Sequence, residues 1–149
     1  MKKLFIYYSL SGNGDLIAKK LKDKGTSIIK IETIKEMPNN RFLSILAGGF
    51  KAGIGYKEKI KDFNTNIDKY DEILIGTPVW NGRISSPINT ALDRLDLSNK
   101  KVKFIFYSGA GDNKKIKIHV KEKYNADSIE LKEPLHNVKE LKKLGDINE

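Results

Sequence analysis

The chain has 149 residues, enough for one domain with a proper core, and 39% hydrophobic with 32% charged residues suits a folded protein with a well-solvated surface. With no cysteine it has no disulfide framework, no thiolate nucleophile and no cysteine-ligated zinc or iron–sulfur centre. The formal net charge of +9 comes mostly from lysine and is spread along the chain, without the stripe of basic and aromatic residues that would point to nucleic acid.

The first element is a strand over residues 3–8. Met1-Lys2-Lys3-Leu4 has the basic head of a secretory signal, but the apolar stretch ends at Tyr8 and meets Ser and Gly with no cleavage-site pattern, so a cytoplasmic protein is expected. Apolar runs elsewhere are no longer than a strand, and no membrane insertion is expected. Ser9-Leu10-Ser11-Gly12-Asn13-Gly14 follows, at a strand-to-helix junction. Two hydroxyls, a carboxamide and two glycines there suit a phosphate group, because backbone N–H groups at a helix start are unpaired and the helix dipole favours negative charge. The plainer alternative is an ordinary capped turn. Leu16, Ile17, Ala18 and Leu21 continue at helical spacing from near Asp15 to Gly25, and residues 27–31 read as a second strand.

Residues 37–63 break the alternation. A helix is expected over 40–50, then an irregular connection carrying Gly48, Gly49, Gly53 and Gly55, with no strand. A third strand covers 72–76, bounded by Thr77-Pro78, and a loop follows over 77–83. Ser85-Ser86-Pro87 signals a helix carrying Ile88, Leu92 and Leu95. A fourth strand over 102–107 leads to a glycine-rich loop, 108–112, and a helix over 113–123. Its lysines, 114, 115, 117, 121 and 123, make either a solvated face or a surface for an acidic partner. A fifth strand covers 128–131, and Val138, Leu141 and Leu144 mark a short closing helix. Strand–helix alternation specifies an α/β fold with a parallel sheet, and with no repeat or linker a single domain over 1–149 is expected.

In an open parallel sheet, ligands bind beyond the carboxyl ends of the strands. The three loops at that end supply a phosphate cradle (9–14), the only tryptophan in the chain (Trp80) and exposed backbone amides (108–112), a set suited to a flat, polar-edged ring with a phosphate tail. Trp80 either contacts that ring or plugs a hydrophobic gap. His119 and His136 stand alone, with no partner at metal-ligand spacing, so both are expected on the surface and no metal is expected. An enzyme so composed would borrow its chemistry from a cofactor.

Tyr8-Ser9-Leu10-Ser11-Gly12-Asn13, then Gly76-Thr77-Pro78-Val79-Trp80-Asn81-Gly82-Arg83 with Ser86-Pro87, then Ser108-Gly109-Ala110-Gly111-Asp112, resemble the flavodoxin-like family, and the short single-domain bacterial flavodoxins most of all. The resemblance spans essentially the whole chain. It implies a three-layer fold with a five-stranded parallel sheet in the order 2-1-3-4-5, bound FMN, and electron transfer between redox partner proteins. It further implies that Ser9, Ser11, Gly12, Asn13 and Gly14 grip the FMN phosphate. Thr77, Pro78, Val79, Trp80, Asn81 and Gly82 would run along the isoalloxazine, and Ser108, Gly109, Gly111 and Asp112 would hold its pyrimidine edge. Arg83 would either ease the charge of the reduced ring or form a surface ion pair. Gly14 stands where the family often has Thr, with a backbone contact as the expected replacement. The third loop lacks an aromatic, which leaves one ring face open or covered by a partner. The main expectation is an electron carrier; the alternatives are an NAD(P)H-dependent quinone or small-molecule reductase, and a non-flavin binding module on the same fold.

Overall fold

The computed structural model describes residues 1–35, 57–109 and 113–147. Its strands are β1 (Lys3–Tyr7), β2 (Ser27–Lys30), β3 (Glu72–Trp80), β4 (Arg83–Ile84), β5 (Lys101–Ser108) and β6 (Asp127–Lys132). β2, β1, β3, β5 and β6 pair side by side in that order, all parallel, and β4 pairs antiparallel with β3. Numbered among themselves, the parallel strands follow the expected order 2-1-3-4-5, with β4 as an addition.

Alternation along β1 shows how this sheet buries both faces. Leu4, Ile6 and Tyr8 join Ile73, Ile75, Phe104 and Phe106 in one core, whereas Phe5 and Tyr7 join Leu74, Ile105 and Tyr107 in the other. Successive strand residues point to opposite faces, so a strand covered on both sides is apolar throughout. The helix α1 (Asn13–Lys22) covers the second core with Ile17 and Leu21. The first core lies under α2 (Ser86–Asp93), through Ile88 and Leu92, and α3 (Lys114–Tyr124), through Ile116 and Val120. Three layers result. At the amino end of the strands the buried Glu72 carboxylate lies between Lys3, at 3.2 Å, and Lys101, at 3.5 Å, its neighbours in register on β1 and β5.

Two elements depart from the sequence expectation. The third strand does not stop at 76: β3 runs through Thr77, Pro78 and Val79 to Trp80 and turns back into β4, so most of the expected loop 77–83 is a hairpin. Asn81 (φ +51°) and Gly82 (φ +68°) both occupy the left-handed region, as a two-residue turn of the primed type requires, and that turn matches the twist of its strands. The Asn-Gly pair was the available signal; Pro78 hid it by reading as a strand stop. The closing segment, Val138–Ile147, is a 3₁₀ helix. Val138, Leu141 and Leu144 recur every third residue, which fits three residues per turn better than the α-helical 3.6.

The helix expected over 40–50 lies outside the described residues. Where the chain returns, Thr33 and Ile60 form an isolated antiparallel bridge, with Ile34 N–H donating to Lys59 O and Lys61 N–H to Glu32 O. Among the described residues no helix is long and apolar enough to cross a membrane.

Candidate functional site at the carboxyl rim of the sheet

Register brings the three expected segments to one end of the sheet. Tyr7 lies level with Gly76, and Gly76 with Ile105, so the chain leaves β1 and β5 beside the β3–β4 hairpin. The first segment is built around Gly12, whose φ of +96° lets the chain turn directly into α1. Its N–H and that of Gly14 converge on Ser9 Oγ, at 3.2 and 3.0 Å. Ser9 Oγ therefore caps both amides, and a phosphate oxygen reaching them would take the place of this hydroxyl. Asn13 Nδ2 donates to Ser11 Oγ at 3.3 Å, and Asn13 Oδ1 accepts the Leu135 N–H at 2.9 Å, which ties the loop to the chain beyond β6.

Two tyrosines form the floor of this loop. A Cβ on Gly14 would lie 2.7 Å from Tyr107 Oη, 2.8 Å from Tyr7 Cδ2 and 2.9 Å from Ser9 Cβ. No side chain fits, and the hydroxyl that threonine would bring is excluded by packing. Tyr107 Oη donates to Tyr8 O, and Tyr7 Oη donates to Asp15 Oδ1 at 2.7 Å. Burial pushes all three phenols upward. Tyr8 is raised to about 12 by burial and then by Glu58; Tyr107 is raised by burial and then by the neighbouring Tyr7; Tyr7 is raised by burial and then by its bond to Asp15.

In the hairpin, Thr77 is fully buried. Its hydroxyl oxygen accepts the Ser85 N–H at 3.1 Å and lies 2.9 Å from Ser85 Oγ, which ties β3 to the start of α2. Pro78 and Val79 are half-buried, and Asn81 and Gly82 are exposed at the tip. Trp80 is 7% exposed and packs in the first core, its ring meeting Tyr8 edge-on with centroids 5.7 Å apart. Arg83 is exposed and forms no ion pair among the described residues.

At the third segment, Ser108 Oγ accepts from Asn113 Nδ2 at 3.2 Å, and Ser108 O accepts the Glu133 N–H at 3.1 Å. A Cβ on Gly109 would come within 2.9 Å of Glu133 Oε1, the end of a flexible side chain that can move aside. Gly111 and Asp112 lie outside the described residues. His119 and His136 are exposed, as expected. The lysines of α3 are partly neutralised: Lys117 pairs with Glu130 at 3.2 Å and Lys121 with Asp127 at 3.1 Å, both across to β6.

Residues 1–133 match the family of NADPH-dependent FMN reductases. The chain belongs to that family. Its fold is that of a flavoprotein from Lactobacillus acidophilus NCFM solved in complex with FMN (TM-score 0.71, 25% identity, 93% of this chain and 97% of that one covered). The apo form of the flavoprotein from the same organism also matches (TM-score 0.62, 23% identity, 91% and 95% covered). So does a flavodoxin, WrbA-like protein from Agrobacterium tumefaciens (TM-score 0.56, 11% identity, 95% and 88% covered). Among curated proteins none matches the sequence.

Within this FMN reductase fold, sequence reasoning named the rim segments and missed what supports them. Tyr7 and Tyr107 read only as strand aromatics, since nothing local reveals that two strands bring them under Gly14. Glu133 and Leu135 sit in a stretch without a motif. The one local sign is Glu133-Pro134 directly after β6, marking a turn; Glu133 takes φ +42° there.

Proposed function

We propose that the chain is an FMN-dependent oxidoreductase that takes electrons from a reduced nicotinamide nucleotide and passes them to a small acceptor. The observation that carries this reading is the match of residues 1–133 to the NADPH-dependent FMN reductases. The rim supports it: the Ser9–Gly14 loop opens α1, where a phosphate would take over the Gly12 and Gly14 amides from Ser9 Oγ, and the hairpin tip at Asn81 and Gly82 is exposed. Ser9, Ser11, Gly12, Asn13 and Gly14 would hold the phosphate. The β3–β4 hairpin and the segment from Ser108 would border the ring. When bound there, FMN would supply the two-electron redox chemistry, which belongs to the cofactor and needs no side-chain acid or base. The exposed Arg83 offers a cation to an anionic reductant.

The test is to load the protein with FMN, add NADPH without oxygen, and follow the visible flavin absorbance. Bleaching with no second protein, and turnover when a quinone or free flavin is added, is the expected result. Bleaching by dithionite but by neither NADPH nor NADH would make the chain an electron carrier served by a separate reductase. No uptake of FMN would remove both readings.

A further inference from the structure

We propose that Lys30 sets the preference of this site for a phosphorylated flavin, by neutralising Asp15 at the mouth of the 9–14 loop. The inference rests on the FMN reading above. Asp15 is the third residue of α1, immediately beyond the loop. A carboxylate there suits the positive end of the helix dipole but repels a phosphate dianion arriving at the same helix end. Residues 9–14 contain no basic side chain to offset it.

The offset comes from the neighbouring strand. Lys30 Nζ lies 2.7 Å from Asp15 Oδ1, and Tyr7 Oη donates to that same oxygen at 2.7 Å. Lys30 is the last residue of β2, in register with Tyr7 on β1, and its ammonium lies 6.0 Å from the Tyr7 ring centroid. The sheet thus fixes cation and phenol together around one carboxylate oxygen. Both side chains are substantially exposed, 41% for Lys30 and 45% for Asp15, so water and salt screen the pair and its effect is largest at low ionic strength. With Asp15 balanced, a dianion that replaces Ser9 Oγ at the Gly12 and Gly14 amides meets no opposing charge.

The experiment titrates the flavin-free full chain with FMN and, in parallel, with riboflavin, which lacks the phosphate, reading the quenching of flavin fluorescence at low salt. Lys30→Met is expected to weaken FMN by about tenfold while riboflavin stays within about twofold. Asp15→Asn alone is expected to bind FMN as tightly as the wild type or more tightly. Combining the two is expected to restore FMN affinity to within about threefold of wild type, the mark of coupling through the pair. An unchanged ratio of FMN to riboflavin affinity in Lys30→Met overturns the proposal while leaving the FMN reading intact. A double variant as weak as Lys30→Met also overturns it, since Lys30 would then act on the phosphate directly. Failure of the wild type to bind FMN defeats the underlying reading instead. Riboflavin binding reports in every variant that the fold is intact.

Discussion

Gly14 shows most directly how packing decides chemistry here. Its place in the loop invites a hydroxyl-bearing residue, yet any Cβ would lie within 3.0 Å of Tyr107, Tyr7 and Ser9. Gly14→Thr should therefore cost about 2 kcal/mol in thermal or denaturant unfolding, as overpacking does, and should weaken FMN rather than strengthen it. Equal stability and tighter FMN binding would show that the tyrosine floor yields. The tyrosines make a second prediction. Tyr7, Tyr8 and Tyr107 hold their protons more tightly folded than unfolded, against an ordinary phenol value of 10.0. The stability they contribute is complete below that value and is lost as pH rises through the folded values. A spectrophotometric titration should show these phenols ionising only together with alkaline unfolding, and early ionisation of all tyrosines in a folded chain would contradict it.

The β3–β4 hairpin closes through the Asn81-Gly82 turn, and the Thr77 hydroxyl ties it to the start of α2. Thr77→Val removes the acceptor of the buried Ser85 N–H and should cost about 1–3 kcal/mol, the usual penalty for an orphaned buried donor. Gly82→Ala forces a side chain into φ +68° and should cost about 1 kcal/mol. Chemical unfolding of both variants, with Thr77→Val the larger loss, checks this order. Elements were the most legible part of the sequence: five runs became five parallel strands, of which the central three, β1, β3 and β5, are apolar because they are covered on both faces, whereas the edge strands β2 and β6 are only partly buried. What escaped was conformation that depends on partners or on φ. The hairpin required reading Asn81-Gly82 as a turn despite Pro78, and the three-residue spacing of Val138, Leu141 and Leu144 needed a period other than 3.6. At the site, residues 9–14, 77–82 and 108–109 could be named from composition and resemblance. The packing of Tyr7 and Tyr107 under Gly14 and the Lys30–Asp15 contact could not, because each arises from strand register.

At the scale of the whole molecule, the sheet brings the ends of β1, β3 and β5 out at one rim, where the proposed flavin site would lie. The positive charge of the chain is compatible with this and does not define it, since the α3 lysines are partly paired with β6. The most direct test is an amide-resolved NMR titration of the flavin-free protein with FMN, then separately with inorganic phosphate. FMN should shift the amides of Ser9–Gly14, Asn81–Gly82 and Ser108–Gly109 together and saturably, whereas phosphate should shift the first group alone. Shifts confined to another face of the molecule, or a first segment that ignores both ligands, would contradict a flavin phosphate site at this rim.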